Sequence, residues 1–234
     1  VSALAALLPD LPRLVETRAM LLSGACEVIG DAGGGDYVVC SAEAGVAAVV
    51  GHPPAEALRA VAARGGVLDV LCPEAVAGHV AGALRGWRAQ PAVIHTLTGT
   101  PARRGAPRGD VRVVRPDDEV SVAHLPADLR DEFARALRHP PLVAAFVDGR
   151  PVSFAYVPWQ TETLCDLSID TAPGYRRRGL AAAVAARLVD EVRRLGKQPV
   201  WGALVDNQAS LALARRLGFE PVDRLAVISR PQEG

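Results

Sequence analysis

Aromatic side chains are scarce in this 234-residue chain, with three Trp, three Tyr and four Phe. Its core must therefore be assembled from Leu, Val, Ile and Ala. Charge of one sign is missing too: 26 basic side chains meet 26 acidic ones, which argues against nucleic acid or an anionic membrane surface as the partner. No run approaches the roughly 20 uninterrupted apolar residues that cross a bilayer. The stretch VSALAALLPDLPRLVE lacks a basic start and is broken by Pro9, Asp10 and Pro12, so it reads poorly as a signal peptide. The four cysteines, Cys26, Cys40, Cys72 and Cys165, contain no CxxC pair, which disfavours a zinc knuckle or a disulfide framework and points to a reducing cytoplasm. His52, His79, His95, His124 and His139 have no metal-ligand spacing, so no metal is expected. Lys197 stands alone against 25 arginines, a bias from which no function is read.

What remains is an apolar, evenly charged chain long enough for one large domain or two small ones. The clearest seam is GTPARRGAPRGD, residues 99–110, where glycine, proline and arginine interrupt the pattern. The expected organisation is an α+β domain over 1–98, a linker over 99–110 and a second domain over 111–234. In the first, DYVVCSAEAGVAAVVG reads as two strands around a turn, PPAEALRAVAARGG as a helix, and VLDVLC and AVIHTLT as strands flanking another helix. Its triple glycine, Gly33 to Gly35, neither follows a strong strand nor opens a helix, and reads as a turn.

The second domain reads β-α-β-β-β-α-β-α-β, a mixed sheet with helices on it. Asp148-Gly149 between two apolar runs marks a hairpin. One strand is expected from Thr163 to Thr171, with Leu164, Asp166, Ser168 and Asp170 on one face and Cys165, Leu167 and Ile169 on the other. From Gly179 to Leu195, apolar residues at 180, 184, 188, 192 and 195 follow helical spacing.

The connection between that strand and that helix, DLSIDTAPGYRRRGLAAAV, carries the chemistry. A strand entering a helix through Pro173-Gly174 aims free N–H groups and the positive end of the helix dipole at one point, which suits a phosphate or pyrophosphate. Gly179 permits close approach, Ala181 leaves the first turn unobstructed, and Arg176, Arg177 and Arg178 add positive charge. There is neither a Walker A lysine nor a GxGxxG run.

Arg176-x-x-Gly179-x-Ala181 after a strand, followed by a further strand and by Asn207 opening a helix that ends Leu217-Gly218-Phe219, resembles the GNAT superfamily of acyl-CoA N-acyltransferases. The resemblance spans about Val111 to Arg230. The pattern from Trp201 to Phe219 is most like the branch that includes the zwittermicin A resistance acetyltransferase, whose members carry a variable N-terminal extension. Residues 1–98 could be one, and a reduced half-copy of the same fold is one reading of them.

The resemblance implies an α+β GNAT fold, acetyl-CoA as cofactor, and direct transfer of an acetyl group to the amine of a small molecule. Homodimerisation stays open. By the same resemblance, the amides from Arg177 through Gly179 and Leu180 to Ala181 hold the pyrophosphate, with Arg176 and Arg178 adding charge. Ile169, Asp170 and Thr171 line the pantetheine path, Ile169 N–H meets the developing oxyanion, and Asn207 steadies the pantetheine. Asn207 equally suits a helix N-cap.

A protonated amine must lose its proton before attack. Asp166 is the expected base because the branch places an acid there, with Glu162 as runner-up and a solvent-facing or arginine-paired Asp166 as the plain alternative. Where many superfamily members have a tyrosine to protonate the leaving thiolate, this chain has Ala214; Ser210, one turn earlier, is the expected substitute, though a capping role also suits it. An acyl-enzyme on Cys165 is disfavoured, having no histidine near it in sequence. Trp159 could line the acceptor pocket or simply pack. The rivals to a transferase are an acyl-CoA-binding module without turnover, motivated by Ala214, and a partner-recruiting role for residues 1–98.

Overall fold

The computed structural model describes residues 2–102 and 109–231, so residues 103–108 of the expected linker lie outside the described residues. The chain forms two compact units that interleave along the sequence: one takes 1–94, 202–208 and 221 onward, the other 95–201 and 209–220.

The first unit begins with α1 (Ser2–Leu7) and α2 (Val15–Ser23), then an antiparallel meander of β1 (Glu27–Asp31), β2 (Asp36–Ser41) and β3 (Val46–Val50). From β3 the chain crosses over through α3 (Ala55–Ala63) to β4 (Asp69–Cys72), which lies parallel to β3. Helix α4 (Ala77–Ala83) leads to β5 (Arg88–Thr96). The C-terminal strand β12 (Glu220–Ser229) pairs antiparallel with β4 and takes its place between β4 and β5. Period-two alternation puts Val38, Cys40, Ala47, Val49, Val70, Cys72, Ala226 and Ile228 into one buried cluster with Leu58 and Val61 of α3. Their small volumes answer the shortage of aromatics.

The second unit holds β6 (Asp110–Val114), α5 (Ala127–Ala136), β7 (Leu142–Val147), β8 (Arg150–Tyr156), β9 (Leu164–Asp166), β10 (Ser168–Thr171), α6 (Leu180–Arg194) and most of β11 (Gln198–Leu204) and α7 (Gln208–Leu217). The hairpin between β7 and β8 turns on Asp148 and Gly149, both with positive φ (50° and 74°), the backbone that Asp-Gly sequences favour in tight β-turns. An antiparallel sheet runs β6-β7-β8-β10.

Phe133 of α5 packs edge-on against Phe154 of β8 with ring centroids 5.1 Å apart. Val114, Leu142, Ala144, Phe146 and Tyr156 complete that side of the sheet. Helix α6 also packs on β7, β8 and β10, burying Leu180, Val184, Leu188 and Val192 at helical spacing.

The uninterrupted strand expected from Thr163 to Thr171 is instead two strands, broken at Leu167. Residues 164–166 pair parallel with Gln198, Pro199 and Val200 of β11. Residues 168–171 pair antiparallel with β8. The polar and apolar residues alternate in the sequence straight through position 167, so the residue pattern carries no sign of the break. No helix among the described residues is long and apolar enough to cross a membrane.

Candidate active site

The break at Leu167 organises the site. Its N–H donates to the Val200 carbonyl (3.0 Å), the last rung toward β11, while the Asp166 N–H turns to the Trp159 carbonyl (2.9 Å). From Ser168 onward the partner is β8, and β10 stands at the edge of its sheet. The Ala172 N–H donates to the Val152 carbonyl (2.9 Å), which fixes the phase of the ladder. Antiparallel pairs alternate between bonded and non-bonded, so Ser168 and Asp170 bond toward β8. The N–H and C=O groups of Ile169 and Thr171 therefore point out of the free edge. An extended ligand can pair with that edge as an added strand.

Directly after β10 comes the turn. Residues 173–175 form one turn of 3-10 helix, and Gly179 caps α6 with φ 81°. Arg177 is left-handed as well, with φ 62°, a conformation costly for a residue with a Cβ. The amides of the first turn of any α-helix have no intrahelical acceptor, and α6 opens with no acid in that turn. A side chain at 179 would meet no other atom within 4 Å, so glycine is required there by backbone conformation and not by crowding.

Arg176, Arg177 and Arg178 are all exposed beside this mouth. Arg176 Nε donates to the Thr171 carbonyl (3.3 Å), and Arg178 donates to the Gly174 carbonyl (2.9 Å) while its guanidinium lies 4.9 Å from the centre of the Tyr175 ring. The turn thus holds its own cations. Leu180 is buried, anchoring the helix start, and Ala181 is half-buried.

The two faces of β10 differ. Residues opposite each other in the ladder share a face, so Ser168 and Asp170 lie with Tyr156 and Phe154 on the side of α5. There the Tyr156 hydroxyl donates to Glu132 Oε1, and Glu132 also pairs with Arg135. Burial, reinforced by the negative charges of Glu132 and Asp128 and opposed by Arg176, pushes the Asp170 carboxyl up to about 6. On the opposite face Thr171 Oγ1 and Ser153 Oγ are 2.7 Å apart.

Of the remaining expected residues, Asp166 closes β9 and is half-buried. Ser210 lies on α7, where its Oγ accepts a hydrogen bond from the indole of buried Trp201 (2.9 Å). Ala214 is fully buried. Glu162 is exposed and Trp159 half-buried. Asn207 lies in the first unit, on the approach to α7, with its N–H on the Leu204 carbonyl. The structure therefore brings Ile169, Asp170, Thr171, Arg176, Arg177, Arg178, Gly179, Leu180 and Ala181 together around one strand end.

Burial pushes the Cys165 thiol up to about 11, leaving a negligible thiolate fraction near neutrality. All four cysteines are free thiols. Among the described residues no group of three or more His, Cys, Asp or Glu could hold a metal.

Residues that sequence reasoning missed are Tyr156, Glu132 and Asp128. The sequence AHLPADLRDEFARAL, from Ala123, reads as a helix with acids early and Arg135 and Arg138 late, which matches the helix dipole and gives no sign of a site.

Residues 143–228 match the family model described as GNAT acetyltransferase. No curated protein is a significant match to the chain. Among solved structures, a GNAT-family protein from Novosphingobium aromaticivorans superposes with a TM-score of 0.61 at 18% identity, covering 93% of each chain. A GCN5-related N-acetyltransferase from Kribbella flavida does so with a TM-score of 0.61 at 14% identity, covering 99% of this chain and 96% of its own. A GCN5-related N-acetyltransferase-like protein from Streptococcus suis gives 0.57 at 19% identity over 88% and 83%. The fold is the GNAT fold.

Proposed function

We propose that the protein is an acetyl-CoA-dependent N-acetyltransferase that acts directly on the amine of a small molecule, akin to the branch that includes the zwittermicin A resistance acetyltransferase. The observation that carries this reading is the opened strand: the outward N–H and C=O groups of Ile169 and the outward N–H of Thr171, whose C=O takes Arg176 Nε, lead straight into the left-handed turn and unblocked helix start at Gly179. An extended amide chain ending in a diphosphate is complementary to that sequence of features. The fit is electrostatic as well, since three exposed arginines directly precede the positive end of the α6 dipole.

When bound, acetyl-CoA supplies an activated acyl carbon. The chain contributes the rest. First-turn amides of α6 with Arg176 and Arg178 hold the diphosphate, and the Ile169 carbonyl and the Thr171 N–H pair with the pantetheine amides. The Ile169 N–H, fixed in its strand, is aimed at the acyl oxygen as it gains charge, and such a preorganised donor contributes about 3 to 4 kcal/mol to the barrier. The carboxylates that bracket the strand break, Asp166 and Asp170, are the groups able to receive the proton of the amine.

At the departing sulfur, the hydroxyl of Ser210 accepts from Trp201, which polarises its own O–H toward donation. Buried Ala214 offers nothing there. Asn207 is assigned to the pantetheine by family resemblance alone.

The test combines two measurements. Calorimetry with coenzyme A should show binding that weakens on replacement of Arg178. Thiol release from acetyl-CoA should then depend on amine across a panel of spermidine, tyramine, L-phenylalaninamide and agmatine. Binding without amine-dependent release from any acceptor would leave an acyl-CoA-binding module in place of a transferase.

A further inference from the structure

We infer that Asp170, held between the sheet and α5, is the group that takes the proton from the acceptor amine. The inference rests on the transferase reading above and assigns within that site a role that the sequence placed on Asp166.

Three placements support it. Asp170 directly follows Ile169, whose N–H points out of the free edge, so a nucleophile approaching the acyl carbon from the side of α5 passes the Asp170 carboxyl. Its side chain shares a face with Ser168, Tyr156 and Phe154, opposite to the one on which Thr171 meets Ser153. It therefore looks into the space under α5 and not into the packing of α6. Asp166 belongs to the other ladder, paired with Val200 of β11.

The groups acting on Asp170 are Asp128 and Glu132 from α5, the latter paired with Arg135; Tyr156 from the sheet; and Arg176 from the turn. Two carboxylates near a third raise its affinity for a proton and attract an ammonium group. Tyr156 donates to Glu132 and so holds that carboxylate in place on the side of α5. Burial is the largest cause and acts in the same direction as the two carboxylates, with Arg176 opposing. The carboxyl becomes a stronger base than an ordinary aspartate while still ionised at neutral pH, which suits proton abstraction.

In the step itself the amine nitrogen forms a bond to the acyl carbon as the carbon–sulfur bond breaks. The electron pair of that bond stays on sulfur, and the N–H proton passes to a carboxylate oxygen of Asp170, from which water later removes it.

Two readouts test the assignment. With [γ-13C]aspartate incorporated, comparison with Asp170→Asn identifies the Asp170 resonance, which should titrate near pH 6 and move to lower pH in Glu132→Gln. A resonance titrating in the ordinary aspartate range, or one unmoved by Glu132→Gln, overturns the assignment. This needs no acceptor.

For whichever panel amine the wild type acetylates, Asp170→Asn should lower kcat/KM at pH 7 by about 100-fold or more and abolish the acidic limb of the profile near pH 6, with coenzyme A affinity kept. Glu132→Gln should shift that limb downward. The limb should persist in Asp166→Asn whatever its turnover. Loss of the limb in Asp166→Asn, with its survival in Asp170→Asn, returns the role to Asp166. If the wild type acetylates none of the amines while binding coenzyme A, the transferase reading falls and the 13C titration alone decides the basicity of the carboxyl.

Discussion

Replacing Asp170 by asparagine should make the protein more stable at neutral pH, an unusual result for a half-buried polar residue. The carboxyl rises from the ordinary 3.8 to about 6, chiefly through burial and then through Glu132 and Asp128. The folded state thus binds a proton more tightly than the unfolded chain, and stability must fall as pH climbs through that interval. The penalty is small below pH 4, accumulates between about 4 and 6, and is complete at pH 7. A rise of this size corresponds to about 3 kcal/mol at neutral pH. Solvent reaches part of the carboxyl, so about 1 to 3 kcal/mol is the expected range. Asparagine keeps the shape and drops the charge.

Thermal unfolding of the two proteins at pH 7.5 and pH 4.5 measures the difference, and subtraction removes every other titrating group, buried Glu16 included. The variant should melt about 3 to 9 °C above wild type at pH 7.5, with the gain falling to about a third of that at pH 4.5. A variant less stable than wild type, or a gain equal at both values, refutes the electrostatic account of this carboxyl. The cost tolerated by the native protein is what a site that needs a strong base would impose.

Three further outcomes are expected. Gly179→Ala should lower stability by about 1 to 2 kcal/mol, because φ of 81° is unfavourable for any side chain although the space is open; calorimetry should show coenzyme A binding weakened in parallel. Ser210→Ala strips the acceptor from the indole of Trp201, a side chain only 2% exposed. Urea denaturation should register a loss of about 1 to 3 kcal/mol, partly recovered in the Ser210→Ala, Trp201→Phe double variant. Calorimetric titration should find one coenzyme A per chain; a second site of comparable affinity would contradict the strand geometry of the first unit.

Much of this molecule was written in local pattern. The hairpin at Asp148-Gly149, the buried stripe of α6 and the arginine-rich turn each rest on contiguous residues, and the backbone follows them. The break at Leu167 was not legible, because an apolar residue in an alternating run looks the same whether its N–H continues the ladder or, as here, makes the last bond to Val200 before the chain changes partner. Nor was the basicity of Asp170, whose neighbours Asp128 and Glu132 lie some forty positions upstream and meet it only through the packing of α5. The place of β12 beside β4 joins residues more than 150 apart in sequence, Ala226 with Cys72 among them. Tertiary pairing of that range leaves no periodic trace.

The first unit repeats the order of connections seen in the second: an antiparallel meander, then a helical crossover to a parallel strand, β1-β2-β3-α3-β4 against β7-β8-β10-α6-β11 with β9 as the parallel rung. The seam differs. In β3 the same three residues, Val46, Ala47 and Ala48, pair with β2 on one side and with β4 on the other. In the second unit the residues that meet β11 and those that meet β8 are disjoint, separated by Leu167. A strand whose amides are satisfied on both edges has nothing left to offer a pantetheine chain, and separating β3 from β4 would cost several backbone hydrogen bonds, each worth about 0.5 to 1.5 kcal/mol net. The helix that follows is also unsuited to a diphosphate. It is entered through Pro53 and Pro54, its first turn carries Glu56, and no arginine precedes it as Arg176 to Arg178 precede α6. Where the second unit presents positive charge and open amides, the first places a carboxylate at the same end of the dipole. The shared order of connections is therefore compatible with unequal openings for a ligand, which differ in whether the central strand keeps both of its partners and in which charge stands at the start of the helix that follows.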